Sequence, residues 1–176
     1  MKYTEKLVKE ARMVAVKAHA PQSYDDMFPY EKHLDDVIDV LNRFVTGISR
    51  PKAYKLLIAG YLHDVIEDGA LSYNKIMKYF GEEVAEIVFC VTDELGRNRK
   101  ERKAKTYPKI AQNQDAVIIK LADRIANIEH GGKIDMYAEE YFDFKFALYT
   151  KSEVAEPLWE HLESLLKPKL KTVGNE

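Results

Sequence analysis

Apolar residues recur along most of this chain at intervals of three and four positions, the spacing that places side chains on one face of an α-helix. The first stripe predicts a helix over residues 3–19, and the second predicts a helix that begins after Pro29. Pro51 opens a central helix, and later patterns predict helices over residues 72–81, 82–93, 115–130, 134–150 and about 157–167. No stretch alternates as a β-strand does, so the sequence predicts an all-α fold.

The central helix ends in an unusual cluster of polar residues. Its apolar run is followed within six residues by His63, Asp64, Glu67 and Asp68. Acids at the end of a helix oppose the helix dipole, and each exposed carboxylate there costs about 0.3–1 kcal/mol. A bound cation would reverse this cost. If the helix continues to Gly69, His63 lies above Glu67 and Asp64 above Asp68. The alternative is a solvated acidic helix end.

Two further polar residues interrupt apolar helix faces. His33 shares a face with Val37 and Val40, and Asp123 is surrounded by apolar residues in the helix over residues 115–130. A buried carboxylate is costly unless it meets a metal, an arginine or a hydrogen-bond donor. Together with His63 and Asp64, these residues form a mixed nitrogen and oxygen set suited to a divalent first-row metal.

Length and composition narrow the possible partners. The chain has 176 residues, with 27 basic and 29 acidic residues, so we expect one domain and no nucleic-acid or membrane partner. A small molecule is the expected partner. Cys90, the only cysteine, lies in an apolar run and is expected to be a buried, reduced thiol. The charged N-terminus lacks a signal region, which predicts a cytoplasmic protein.

A basic segment, GRNRKERKAK, occupies residues 96–105 between the two segments that carry the polar clusters. It is either a solvated helix face or a phosphate-binding surface. Arg97, Arg102 and Lys103 are the candidate phosphate ligands.

The order of His33, His63-Asp64 and Asp123 on helices resembles the HD-domain family of metal-dependent phosphohydrolases. Within it, the chain is most similar to the RelA/SpoT-type (p)ppGpp hydrolase domain and its small single-domain homologues. The shared motifs are FPYEKH at 28–33, HDVIED at 63–68, YFGEEVAEIVFCVTDE at 79–94, ERK at 101–103, IKLADRIANI at 119–128 and EYF at 140–142.

This resemblance implies one manganese ion bound by His33, His63, Asp64 and Asp123. It also implies that Glu67 and Asp68 orient and activate the attacking water and that Asn127 contacts the nucleotide. We therefore expect a metal-dependent phosphohydrolase that removes the 3′-pyrophosphate of ppGpp-like nucleotides. No synthetase or regulatory domain is expected after Glu176. The alternatives are hydrolysis of a nucleoside mono- or triphosphate, and a non-catalytic nucleotide sensor.

The chain departs from the family pattern in the expected substrate pocket. Tyr24 stands at or near the position of an arginine that packs on the base in the family, and it is predicted to replace that arginine as a stacking surface. Glu129 and His130 follow Asn127, where the family favours an arginine and often a threonine. Glu129 would repel phosphate unless its side chain turns away. Tyr141 is a further candidate for the nucleotide site.

Overall fold

The computed structural model describes residues 1–173, and within this range the chain forms ten helices and no strand. The helices are α1 (Glu5–His19), α2 (Tyr30–Phe44), α3 (Arg50–Leu62), α4 (Tyr73–Phe80), α5 (Glu82–Val91), α6 (Arg99–Ala111), α7 (Gln114–Glu129), α8 (Ile134–Glu139), α9 (Tyr141–Leu148) and α10 (Glu156–Val173). The all-α prediction is confirmed. None of these helices is both long and apolar enough to cross a bilayer.

Helix α7 is the centre of the packing. It contacts α2, α3, α5, α6 and α10, and most of its residues from Ala116 to Ile128 are buried. Its N-terminus is capped by Asn113, whose side-chain oxygen accepts from the backbone N–H groups of Asp115 and Ala116. Polar residues on α7 are therefore held among apolar neighbours in fixed positions.

Helix α3 is shorter than the sequence predicted. It ends at Leu62, and residues 63–69 form consecutive turns. Several turn bonds span three residues, such as Val65 N–H to Leu62 O at 3.1 Å and Gly69 N–H to Ile66 O at 3.0 Å. Gly69 then adopts a left-handed conformation at φ 71° and reverses the chain. The acidic cluster thus follows the helix, and the expected continuation of the helix to Gly69 is wrong, although one bond between residues four apart remains, from Asp68 N–H to Asp64 O at 3.0 Å.

The close approach of α2 to α3 depends on Gly60. A Cβ atom at this position would lie 2.8 Å from Leu41 Cδ1 and 3.0 Å from Ile38 Cδ1, both on buried side chains of α2. Glycine therefore lets the two backbones approach more closely than any other residue would. This approach brings the imidazole of His33 on α2 to the end of α3.

The C-terminal helices also differ from the prediction. The helix expected over residues 134–150 is divided at Glu140 into α8 and α9. At this division, Glu140 accepts from Arg99 on α6 and from Arg124 on α7. Helix α10 begins at Glu156, close to the expected start, and continues past the expected end to Val173.

Candidate active site

Four polar side chains from three parts of the chain meet in the interior. His33 lies on α2, His63 and Asp64 directly follow α3, and Asp123 lies on α7. His33 Nε2 is 3.3 Å from His63 Nε2 and 3.5 Å from Asp123 Oδ1, while His63 Nε2 is 2.9 Å from Asp64 Oδ2. Both histidines are no more than 2% exposed. The structure therefore brings together the four residues that the sequence marked as candidate ligands.

The orientation of His63 directs one ring nitrogen into this cluster. His63 Nδ1 lies 2.8 Å from the carbonyl oxygen of Gly60, which can only accept, so Nδ1 carries a proton. Burial alone would lower the pKa of His63, but the Asp64 carboxylate overcomes this effect and raises the pKa to about 9. Without a cation, Nε2 is thus protonated too and faces Asp64. A metal ion bound to Nε2 would take the place of that proton.

Both carboxylates of the cluster remain ionised despite their burial. The imidazole of His63 holds the pKa of Asp64 below its ordinary value, against the effect of burial. The ammonium of Lys120 likewise holds the pKa of Asp123 below its ordinary value, against the effect of burial. Lys120 Nζ lies 2.9 Å from Asp123 Oδ2. The Tyr30 hydroxyl donates to Asp64, and Asn127 Nδ2 donates to Asp123 Oδ1 at 2.7 Å.

This donor set fits a divalent metal ion. Ligand atoms of His33, His63 and Asp64 all lie within 4.8 Å of one another. Two nitrogens bound about 2.1 Å from one ion, at an angle of about 100°, are about 3.2 Å apart, close to the 3.3 Å between the two Nε2 atoms. Imidazole and carboxylate together suit first-row divalent metals.

Glu67 and Asp68 point in different directions from the turn that carries them. Glu67 lines the cavity beside the cluster, and its Oε2 accepts from the backbone N–H of Asp93 at 3.3 Å. Partial burial, then the charges of Asp64 and Asp93, raise the pKa of Glu67. Asp68 does not line the cavity. Its Oδ2 lies 3.1 Å from His19 Nδ1 and accepts from Gln22 Nε2 at 3.1 Å.

A cavity of about 540 Å³ opens above the cluster and has strongly polar walls. Its volume is within the range of about 300–1,000 Å³ that is usual for small-molecule sites. Five basic residues line it: Arg99, Lys103, Lys120, Arg124 and Lys133. Only Lys103 among them was predicted from the sequence. Lys120 could have been predicted from the sequence, because it lies three residues before Asp123 on the same buried helix.

Three of the six predicted substrate residues line this cavity. They are Tyr24, Lys103 and Asn127. Lys103 is buried, and its ammonium forms an ion pair with Asp93 at 2.7 Å. Asn127 lies one turn beyond Asp123 on α7 and reaches the cavity, while its amide also fixes that carboxylate.

The other three predicted substrate residues do not line the cavity. Arg97 is 90% exposed and pairs with Glu101, and Arg102 lies on the side of α6 that packs against Gly96. Tyr141 is buried and donates its hydroxyl to Glu163 on α10. Arg102 misses the cavity because adjacent residues on a helix are about 100° apart, so only one of the Arg102 and Lys103 pair can face it.

Tyr24 is packed between two histidine rings. Its ring centroid lies 4.9 Å from that of His33 and 4.2 Å from that of His130, and its hydroxyl donates to Asn127 Oδ1 at 3.3 Å. His130 Nε2 in turn lies 2.7 Å from Asp25 Oδ2. The segment between α1 and α2 is thereby held to the end of α7.

Glu129 is turned away from the cavity. Its carboxylate accepts from Arg43 at 3.1 Å and lies 2.7 Å from His161 Nε2. These contacts lower the pKa of Glu129 against the effect of burial. Its charge is thus compensated on another face, and the expected repulsion of phosphate does not arise there.

Comparison with known proteins places this geometry in a family. A family model described as an HD domain matches residues 11–141. The chain is 35% identical over 136 residues to the bifunctional (p)ppGpp synthase/hydrolase SpoT of Escherichia coli K12, covering 73% of this chain and 18% of SpoT. It is 34% identical over 101 residues to the guanosine-3′,5′-bis(diphosphate) 3′-pyrophosphohydrolase MESH1 of Drosophila melanogaster, covering 57% of this chain and 54% of that protein.

A solved structure has the same fold along nearly the whole chain. It is described as a metazoan orthologue of SpoT that hydrolyses ppGpp, and it matches with a TM-score of 0.76 at 24% identity, covering 96% of this chain and 98% of the other. The chain matches about a fifth of the length of SpoT and about half of MESH1. Because the family model matches most of its length, the chain belongs to the HD-domain family.

Proposed function

We propose that this protein is a metal-dependent phosphohydrolase that removes the 3′-pyrophosphate of ppGpp or a similar nucleotide. The observation that carries the proposal is the cluster of His33, His63 and Asp64, with Asp123 Oδ1 3.5 Å from His33 Nε2, in a cavity that basic residues also line. The names of the relatives support the substrate, since both SpoT and MESH1 are described by hydrolysis of this alarmone.

His33, His63, Asp64 and Asp123 are the proposed ligands of one divalent ion, with manganese as the proposed metal. When bound, such an ion lowers the pKa of a coordinated water and polarises a phosphoryl oxygen. Lys120 and Asn127 hold the Asp123 carboxylate, and Tyr30 holds Asp64, so the ligand oxygens are oriented by their neighbours.

Glu67 is the proposed acid–base group. It lies in the cavity next to the cluster, and its raised pKa makes it a better proton acceptor than an ordinary carboxylate. It would take a proton from the attacking water, whose oxygen forms a bond to the phosphorus attached to the 3′-oxygen. The bond between that phosphorus and the 3′-oxygen breaks and the 3′-oxygen takes the proton from Glu67, giving pyrophosphate and the 5′-diphosphate nucleotide.

Asp68 is assigned a positioning role. Its carboxylate joins the turn of residues 63–69 to His19 and Gln22, which lie at the end of α1 and in the segment that carries Tyr24. This differs from the role that the resemblance implies, in which Glu67 and Asp68 both act on the water.

The test is a nucleotide panel with a defined metal. Protein stripped with a chelator is reloaded with manganese, magnesium or zinc and incubated with ppGpp, GTP, dGTP and GMP, and products are separated by chromatography. We expect GDP and pyrophosphate from ppGpp, with the highest rate in manganese, and no product from an Asp64→Asn variant. Hydrolysis of another nucleotide alone would reject the alarmone as substrate. Binding of ppGpp without hydrolysis would instead indicate a sensor.

A further inference from the structure

The basic residues of the cavity differ in how they are paired. Lys103 pairs with Asp93, Lys120 pairs with Asp123, and both Arg99 and Arg124 pair with Glu140. Lys133 has an exposed side chain at the cavity wall and makes no ion pair with any residue in the described range 1–173. An anionic ligand can bind its ammonium without displacing a carboxylate.

The backbone of Lys133 is strained. It has φ 57° and ψ 25°, in the left-handed region, and no other non-glycine residue between positions 1 and 173 has a positive φ. A side chain at such a position brings Cβ close to the following carbonyl oxygen, and glycine or asparagine is the usual occupant. Lysine is a poor choice here for folding alone. Strain of this kind at a cavity points to a role for the side chain.

Lys133 lies beyond the C-terminal end of α7, whereas the proposed metal ligand Asp123 lies within that helix. Asp123 is six residues before Glu129, where α7 ends, which at 1.5 Å per residue places it about 9 Å along the helix axis from that end. Lys133 follows the end of α7 after His130, Gly131 and Gly132, all of which also line the cavity. Lys120, by contrast, contacts Asp123 directly.

We propose that Lys133 binds the phosphate groups of the nucleotide that are remote from the hydrolysed bond, and that it favours substrates phosphorylated at both the 3′ and 5′ positions. This inference rests on the proposed function. An ammonium group is a mobile point charge, which suits a flexible diphosphate at a cavity mouth. The paired cations near the cluster then serve the opposite end of the substrate.

The experiment compares two substrates that differ only at the 5′ position, ppGpp and guanosine 3′-diphosphate. Lys133→Asn removes the charge and suits the left-handed backbone. We expect it to raise the KM for ppGpp about tenfold, while the KM for guanosine 3′-diphosphate changes less than twofold. Lys133→Arg should retain the wild-type preference. Lys100→Asn, on an exposed position of α6 outside the cavity, removes the same charge and should leave both KM values unchanged.

Thermal unfolding supplies a second readout. Lys133→Asn and Lys133→Gly both suit the left-handed backbone, so neither should melt below wild type, and Lys133→Gly should melt about 2–4 °C higher. The raised KM of Lys133→Asn then cannot be attributed to a weakened fold. A lower melting temperature with unchanged KM values would show that Lys133 is structural and overturn the inference. Equal increases in KM for both substrates would also overturn it.

These outcomes are separate from failure of the proposed function. If wild-type protein hydrolyses neither substrate, the proposed function fails, and calorimetric binding of the same two nucleotides then decides the role of Lys133. Binding of ppGpp that is weakened by Lys133→Asn, with guanosine 3′-diphosphate unaffected, supports the inference. No binding of either nucleotide overturns it as well.

Discussion

Individual polar residues on apolar helix faces gave the strongest signal in the sequence. His33, His63 and Asp123 stand out because a buried charge or imidazole needs a partner within the fold. The structure brings these residues together with Asp64 within hydrogen-bond distances. Their role as metal ligands remains a proposal, but their proximity was predictable from burial alone.

The partners of these residues were less predictable. Lys120 lies three residues before Asp123 on the same buried helix, so helical spacing favours its contact with that carboxylate, but no local pattern indicates the partner of the adjacent Arg124. Arg124 instead lies with its guanidinium carbon 3.8 Å from the Phe144 ring centroid and pairs with Glu140. The directions of Glu67 and Asp68 were likewise unpredictable, because they depend on turns rather than on a regular helix.

The different surroundings of Glu67 and Asp68 lead to different expected losses of activity. Glu67→Gln removes the group that accepts a proton in the cavity, so kcat for ppGpp should fall about a hundredfold or more. Asp68→Asn keeps a side-chain oxygen near His19 and Gln22, so kcat should fall less than tenfold. Steady-state kinetics in saturating manganese measure both. A loss in Asp68→Asn as large as in Glu67→Gln would contradict the positioning role.

Thermal melting provides the control for this comparison. The folded state raises the pKa of Glu67, which means that it disfavours the ionised carboxylate. Wild-type stability is therefore reduced as the pH rises from the ordinary glutamate pKa through this raised value. Without metal, the neutral side chain in Glu67→Gln should make the variant at least as stable as wild type at pH 8, so lost activity cannot reflect unfolding.

Among the helices, starts were easier to predict than ends. Ser72 was predicted to cap a short helix, and its side chain does accept from Lys75 N–H at 3.4 Å before α4. The end of α3 at Leu62 and the division at Glu140 were not predicted. Glu140, at the division, contacts Arg99 and Arg124, which lie on α6 and α7. Local patterns carry no information on such contacts.

The packing of α2 against α3 links a glycine to the site. Gly60→Ala would place Cβ 2.8 Å from Leu41 Cδ1 and force the helices apart. Overpacking of about 1–3 kcal/mol should exceed the helix-propensity gain of about 1 kcal/mol, so the melting temperature should fall by a few degrees. Since His33 lies on α2 and His63 directly follows α3, manganese affinity should also fall. Calorimetric titration of the variant measures this affinity.

A second substitution tests whether the contact with Leu41 causes the expected loss of manganese affinity. Leu41→Val removes the Cδ atom that the new Cβ would contact, so the Gly60→Ala, Leu41→Val double variant should recover most of the lost manganese affinity. If Gly60→Ala binds manganese as wild type does, the spacing of α2 and α3 does not control the cluster.

Across the whole molecule, the proposed ligands come from distant parts of the chain. His33 on α2 and Asp123 on α7 are far apart in the sequence, and the packing of the other helices around α7 brings them close together. The sequence alone could predict an all-α fold and mark the polar residues that lie on buried helix faces, because helical periodicity and burial are local properties. It predicted only part of the cavity walls, which combine residues from the segment after α1 with residues after α7.

Because the ligands converge only in the folded state, a bound metal should stabilise the whole protein. An ion at a hundred times its Kd adds about 2.7 kcal/mol to the free energy of unfolding. For a chain of this length that corresponds to a rise in melting temperature of about 5–10 °C. We expect melting temperature to fall in chelator and to recover as manganese is added. His63→Ala should lose this response while far-UV circular dichroism shows a helical content close to that of wild type.

A histidine outside the cavity provides the matched control for this response. His161 lies on α10 and contacts Glu129, so His161→Ala removes an imidazole without altering the cluster. Its melting temperature should increase with manganese as much as that of wild type. The comparison uses the shift on adding metal rather than the absolute melting temperature, because loss of the buried His63 ring lowers stability by itself. A full manganese-dependent rise in His63→Ala would remove His63 from the ligand set.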